Sequence, residues 1–366
     1  MMISGMCASV QTELDSLFAS LNGEMGRRHE VSAQAFSTAR QGFSARLFSL
    51  ANTHLLKLAQ PRIEAARWCG LRVLAGDASR LQVSTRKGAE LTADHYAFAL
   101  FMPGTELTLH ASLHPANGSE RRMLFDALGE LDPGRDLLVL DRGYLGNTMV
   151  ASIVQAKLDF CLRVDASRWR CVENFLAGTE RECVVTLGAP DAQDAARYEL
   201  ARIGATVRLI RDVTPSGKVR VLMTSLLDAQ RFPAECFGAL YHQRWRVEEA
   251  FKRIKHRLNL EAVSGLTYLA LQQDFAAKIL ADNLCALIVG ADVAEKAVDR
   301  PNRTYAFGAL KGLIAGCLLG AACCVSALLQ SLRAIAAARC RIQPLRSYPR
   351  PPRSKHHKAM GYKPSS

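Results

Sequence analysis

Four consecutive apolar residues, Leu137-Leu138-Val139-Leu140, followed at once by Asp141, constrain this chain more than any other stretch. Such a run reads as a strand buried inside a sheet, with an acid at the point where it leaves the core. The flanking pattern agrees. Residues 71–76 form a short apolar run, while residues 96–102 and 107–113 flank a Pro103-Gly104 turn, and Leu107, Leu109, Ala111 and Leu113 alternate. A helix is predicted over 120–128, a second one capped by Asn147, and a further strand over 160–164. The expected order is a three-strand meander, then helix, strand, helix and strand.

That is the order of a ribonuclease-H-like α/β core, and order alone names no function. Residues 1–66 read as a polar helical module, with Ser32 capping one helix and DNA binding as the module's expected role. Residues 67–165 supply the first half of the core. A β-rich insertion is expected over 166–229, where Val207 and Leu209 alternate in one run and Val219, Val221 and Met223 in the next, across a Thr214-Pro215-Ser216-Gly217 turn. The second half of the core, helical from Pro233 onward, occupies 230–299, and 300–366 hold a helix and a Pro- and Arg-rich basic tail.

Charge narrows the partners. The formal net charge is +13, and twelve basic residues lie from Arg300 onward without a single Asp or Glu, leaving residues 1–299 almost neutral. A surplus gathered in a tail points to a polyanion such as nucleic acid. Eleven scattered cysteines, odd in number and without a C-x-x-C pair, fit a reducing compartment better than a disulfide scaffold. The start of the chain shows no basic and apolar leader pattern, so a cytoplasmic, nucleoid-associated protein is expected. The uncharged segment 312–332 is long enough to span a bilayer, yet Ile314, Leu318, Val325, Leu329 and Leu332 fall on one helical stripe, which favours a helix packed on a core and no membrane.

The stretch from Tyr241 to Lys255 carries the chemistry. At 100° per residue Tyr241, Arg244, Glu248 and Lys255 fall in a sector about 60° wide, on the border between an apolar and a basic face. By itself this describes an amphipathic helix with an Arg244 and Glu248 ion pair four residues apart, worth a few tenths of a kcal/mol. The spacing Y-x2-R-x3-E-x6-K, however, is a pattern whose chance appearance in a chain this long is on the order of a few in a thousand. Two acids precede it at strand ends: Asp77 in Gly76-Asp77-Ala78-Ser79 and Asp141 in Asp141-Arg142-Gly143-Tyr144.

With these motifs the chain resembles the insertion sequence four family of DDE transposases over roughly residues 30–290. One departure is Ala78, where that family usually has Gly, Ser or Thr. The resemblance implies a transposase that cuts DNA at element ends and joins the freed 3′-hydroxyl to target DNA. It implies Asp77, Asp141 and Glu248 as catalytic ligands of two Mg²⁺ or Mn²⁺ ions, since Mg²⁺ takes oxygen ligands. Tyr241, Arg244 and Lys255 would hold phosphates. The implied partners are double-stranded DNA, as terminal inverted repeats and target, and a second copy in a homodimeric synaptic complex. Other readings are a different ribonuclease-H-like metal-dependent endonuclease, or a decayed copy that only binds DNA. Trp169 is expected to be buried, although relatives use an aromatic in that region to hold a flipped base.

Overall fold

The computed structural model describes residues 1–4, 6–22, 28–87, 90–165, 169–262, 264–290, 299–318 and 324–341. Helices α1 (Val10–Leu21), α2 (Ala33–Gln41), α3 (Arg46–Leu58) and α4 (Gln60–Ala65) come first. Ser32 does cap α2, its hydroxyl accepting from the Ala35 amide at 3.1 Å. Strands β1 (Arg72–Lys87), β2 (Glu90–Met102) and β3 (Leu107–Pro115) lead to α5 (Glu120–Ala127), β4 (Asp136–Leu140), α6 (Asn147–Gln155) and β5 (Asp159–Val164). Then follow α7 (Arg170–Ala177), β6 (Glu182–Thr186), α8 (Ala192–Arg197), β7 (Thr206–Val213) and β8 (Val219–Thr224). The remainder is α9 (Phe237–His242), α10 (Trp245–Lys252), α11 (Tyr268–Gly290), β9 (Asp299–Pro301), α12 (Arg303–Leu318), α13 (Cys324–Ala337) and β10 (Arg339–Arg341).

Eight strands form one sheet in the order β3-β2-β1-β4-β5-β8-β7-β6. Its first five follow the strand order expected of a ribonuclease-H-like core, with β1, β4 and β5 mutually parallel. The strands of the 166–229 segment extend this sheet: β8 pairs antiparallel with β5, β7 with β8, and β6 with β7. Strand β4 is buried along its whole length, which explains its lack of polar side chains between Asp136 and Asp141.

The chain forms two compact units: residues 1–59, 80–95 and 251–366 in the first, residues 60–79 and 96–250 in the second. In the first, Phe48 of α3 packs on Ala277 and Leu280 of α11, while Leu310, Ile314 and Ile335 close around Cys285 and Val289. Helix α11 also buries Gln273, Asp274, Lys278 and Asn283. Their needs are met within that unit: Arg40 donates to Gln273 Oε1 (2.7 Å), Ser264 Oγ (2.8 Å) and Asp274 Oδ1 (3.4 Å), and Asn283 donates to Asn52 Oδ1 (2.7 Å). In the second, Val73, Leu137, Val139, Ile210 and Leu222 of the sheet pack against Phe237 and Leu240 of α9.

Three local expectations change. Strand β1 does not stop at Gly76: Leu81, Val83 and Thr85 continue inward at 0%, 2% and 5% exposure, so a polar-looking sequence alternates as a strand. Asp77 therefore lies within β1, not at its end. Asn147 is the first residue of α6 and not its cap, since Gly146 holds that position. The apolar segment 312–332 does not present one buried stripe, because Val325 and Leu329, on α13, are exposed. Residues 319–323 of that segment and the tail from residue 342 lie outside the described residues. Among the described residues no helix is long and apolar enough to cross a membrane.

Candidate active site

Parallel pairing builds the site. Between β1 and β4 the register is Arg72 to Asp136, Val73 to Leu137, Leu74 to Leu138 and Ala75 to Val139. Carried two residues further, it brings Asp77 level with Asp141, and side chains two apart share a face of the sheet. The near end of the same pair is neutralised, because Arg72 grips Asp136 through two bonds of 2.7 and 2.6 Å. The far end gathers negative charge instead.

Each aspartate is steadied by its own backbone. Asp77 Oδ1 accepts from the Ala78 amide at 3.0 Å, and Asp141 Oδ1 accepts from the Gly143 amide at 2.7 Å, capping a short 3-10 turn over Arg142–Tyr144. A Cβ on residue 143 would stand 2.9 Å from Asp141 Oδ1 and 3.5 Å from Glu120 Oε2, so two carboxylates close over a glycine that leaves them room. Arg121 Nε donates to the Gly143 carbonyl at 2.9 Å, tying α5 to the turn.

Burial pushes the Asp77 carboxyl up to about 7, with Arg244 acting in the opposite sense and Glu120 and Asp141 adding to the rise. Glu120 is raised by burial and by Asp141. These groups form one electrostatic neighbourhood in the second unit, and a cation placed among them would relieve it.

Glu248 enters from α10. Arg244 Nη2 donates to Glu248 Oε1 at 2.7 Å, with the guanidinium 6% and the carboxylate 28% exposed. Arg244 also lies over the Trp245 ring at 4.6 Å, and its Nε has no hydrogen-bond partner among the described residues. The stretch from Tyr241 to Lys255 is not one helix. Tyr241 lies on α9, Arg244 in a turn, Glu248 on α10, and Lys255 in a π turn over Arg253–Arg257, so the 60° sector derived from an unbroken helix does not apply.

The other two expected phosphate contacts are engaged within the protein. The Tyr241 ring is 4% exposed, packed in the core of the second unit with Arg220 over its face at 4.8 Å. Lys255 belongs to the first unit, where its ammonium donates to the Arg80 carbonyl and pairs with Glu261 at 3.4 Å. Trp169 is half-buried and donates to Asn147 Oδ1 at 2.7 Å.

Sequence reasoning missed two members, Glu120 and Tyr144. The signal for Tyr144 was present, since residues three apart in a 3-10 turn eclipse one another and Tyr144 follows Asp141 by three. Glu120 opens a predicted helix, and no spacing rule links it to the aspartates.

A divalent cation fits this donor set through Asp77 and Asp141, because such ions commonly take one or two carboxylates together with substrate phosphate. Among the described residues no group of three or more His, Cys, Asp or Glu is arranged to hold an ion by itself. Glu248, which accepts from Arg244 through Oε1, would add a third carboxylate through its other oxygen.

The sheet order is the one expected of a ribonuclease-H-like core, and the register brings Asp77 and Asp141 level on its neighbouring strands. The profile described as "Transposase DDE domain" matches residues 68–284, and the chain belongs to that family. The chain is 27% identical over 253 residues to the transposase InsG for insertion sequence element IS4 of Escherichia coli (strain K12). That match takes in 64% of this chain and 55% of the relative, so the chain spans about half the length of the curated protein it matches. A piggyBac transposase in a synaptic complex with hairpin DNA is similar at a TM-score of 0.42 and 10% identity, covering 87% of this chain and 69% of that one.

Proposed function

We propose that this chain is a transposase that cleaves DNA at the ends of an insertion element and transfers the freed 3′ strand to target DNA, using two Mg²⁺ or Mn²⁺ ions. The observation that carries the reading is the β1 to β4 register, which sets Asp77 level with Asp141 in a chain whose residues 68–284 match the DDE domain. Bound divalent ions would supply positive charge at the attacking and leaving oxygens of an in-line displacement.

The chain's own residues do the rest. Asp77 and Asp141 present oxygens from two fixed strand positions, held by the Ala78 and Gly143 amides. Glu248 is the third acid, and Arg244, freed from it, turns its guanidinium to a DNA phosphate. Tyr241 supports Arg244 from the core. Lys255 and the basic tail add backbone contacts, and the helices of residues 1–66 bind DNA. The assembly is a homodimer that pairs terminal inverted repeats, in the cytoplasm beside the nucleoid.

Nicking of supercoiled DNA carrying the element ends tests this. Wild-type protein nicks only with Mg²⁺ or Mn²⁺, and Asp141→Asn and Glu248→Gln lose nicking while still binding the ends. Metal-independent nicking, or full activity in both variants, overturns the reading.

A further inference from the structure

A cleft of about 560 Å³ opens between α5, α6 and α8, wholly within the second unit. It begins where the Arg142–Tyr144 turn ends, since Leu145 and Gly146 line it. Three arginines, Arg121, Arg122 and Arg197, share its wall with two acids, Asp126 and Asp194, and Asp194 already accepts from the Thr148 hydroxyl at 2.6 Å. None of the three guanidiniums pairs with a carboxylate among the described residues, whereas those of Arg72, Arg208, Arg220 and Arg244 all do. Unpaired cations gathered around a concave surface focus a positive potential there and favour an anion.

The cleft is preformed. Phe125 of α5 stacks on Tyr198, which ends α8, with ring centroids 4.2 Å apart, and Arg197 lies over the same Tyr198 ring at 5.5 Å. Arg121 uses only its Nε on the protein, donating to the Gly143 carbonyl at 2.9 Å, and its two terminal nitrogens make no bond among the described residues. That side chain joins the cleft to the turn whose Gly143 amide holds Asp141.

We infer that this cleft is a subsite for the DNA backbone, in which Arg121, Arg122 and Arg197 hold a phosphodiester next to the one being cleaved. The inference rests on the proposed transposase reading. Guanidinium forks match phosphate oxygens, and contacts of this kind fix where a strand lies without reading its sequence. Because Arg121 holds the Gly143 carbonyl as well, one side chain sets the strand and the Asp141 turn against each other.

The experiment is a methylphosphonate scan, in which single phosphates on either strand of an element-end duplex lose their charge. Binding of the full chain is read for wild type and for the double variant Arg122→Gln with Arg197→Gln. Both arginines are exposed, so the double variant should melt within a few degrees of wild type. Expected is a group of roughly one or two phosphates beside the cleaved bond whose neutralisation weakens wild-type binding about tenfold. The same neutralisation should leave the double variant, already weaker on the charged duplex, unchanged. Equal losses in both proteins overturn the inference, as does a scan with no sensitive phosphate beside the cleaved bond. Calorimetry with inorganic phosphate alone supplies a second arm. Phosphate binding that the double variant loses, with no coupled position in the DNA scan, would assign the cleft to a free anion and overturn the inference. Should the double variant not fold, Arg122→Gln and Arg197→Gln singly carry the same comparison. Failure of the transposase reading looks different: wild-type nicking without metal, or full nicking by Asp141→Asn and Glu248→Gln.

Discussion

Arg244, in the turn before α10, holds Glu248 four residues on, through a 2.7 Å bond from a nearly buried guanidinium to a carboxylate that is 28% exposed. The two ends of the pair differ in what their loss exposes. Arg244→Ala removes a buried cation, its stacking on Trp245 and the counter-charge that lowers Asp77, which should cost about 1–3 kcal/mol of stability. Glu248→Gln leaves a hydrogen-bonding partner on the exposed side and should cost under about 1 kcal/mol. Denaturant titration of the two variants ranks them, and equal losses would show that Arg244 has no second role.

Gly143 should be intolerant for a reason unrelated to turn conformation. A methyl group there would meet Asp141 Oδ1 at 2.9 Å and must displace either the carboxylate or the turn that Arg121 anchors. The fold outside this turn does not depend on it. Gly143→Ala should therefore keep a melting temperature within a few degrees of wild type while Mn²⁺ affinity falls about 10–100-fold. Calorimetric titration reads the affinity.

Legibility of the fold followed burial. The β4 run and its terminal Asp141 could be read because a strand covered on both faces admits no polar residue. The continuation of β1 through Leu81, Val83 and Thr85 was hidden by the alternating Arg80, Gln82, Ser84 and Arg86, which fall on the other face. Helical periodicity likewise misjudged the stretch around Glu248, since the turn at Arg244 and the π turn at Lys255 shift the angular positions without altering the apolar spacing. Stripe reasoning also misplaced Val325 and Leu329, which are exposed on α13. Glu120 joins the aspartates through tertiary packing alone, with no period to announce it.

The α11 helix makes the first unit vulnerable at one cation. Arg40 is 7% exposed and satisfies Gln273, Ser264, Asp274 and the Ala270 carbonyl together. Arg40→Ala would strand the Asp274 carboxylate in the interior, a loss of about 3–5 kcal/mol, whereas Arg40→Ala with Asp274→Ala should recover part of it. Chemical denaturation of the single and double variants checks the coupling.

The basic tail should act on affinity through salt. Deleting residues 345–366 removes Arg346, Arg350, Arg353, Lys355, Lys358 and Lys363. Each phosphate they neutralise contributes about −0.9 to the slope of log K against log salt on duplex DNA. A salt slope identical in full-length and truncated protein would show that the tail does not touch DNA.

Asp77 sets a pH dependence of stability whose sign follows from its environment. Its folded-state value, pushed to about 7 by burial, lies above the unfolded value near 3.9. A carboxyl raised in this way contributes fully below the unfolded value, and the contribution is lost as pH climbs toward the folded one, because the unfolded chain ionises first. In EDTA the wild-type protein should thus lose stability between about pH 4 and pH 7 relative to Asp77→Asn, which cannot ionise. Partial solvent access limits the difference to about 1–2 kcal/mol, or a few degrees of melting temperature. Divalent ions should reverse the ranking, since only wild-type protein gains from binding them. Melting curves at pH 4.5 and pH 8, with EDTA and with Mn²⁺, provide the comparison, and an Asp77→Asn protein less stable than wild type at pH 8 in EDTA would show that the carboxylate is already neutralised by Arg244.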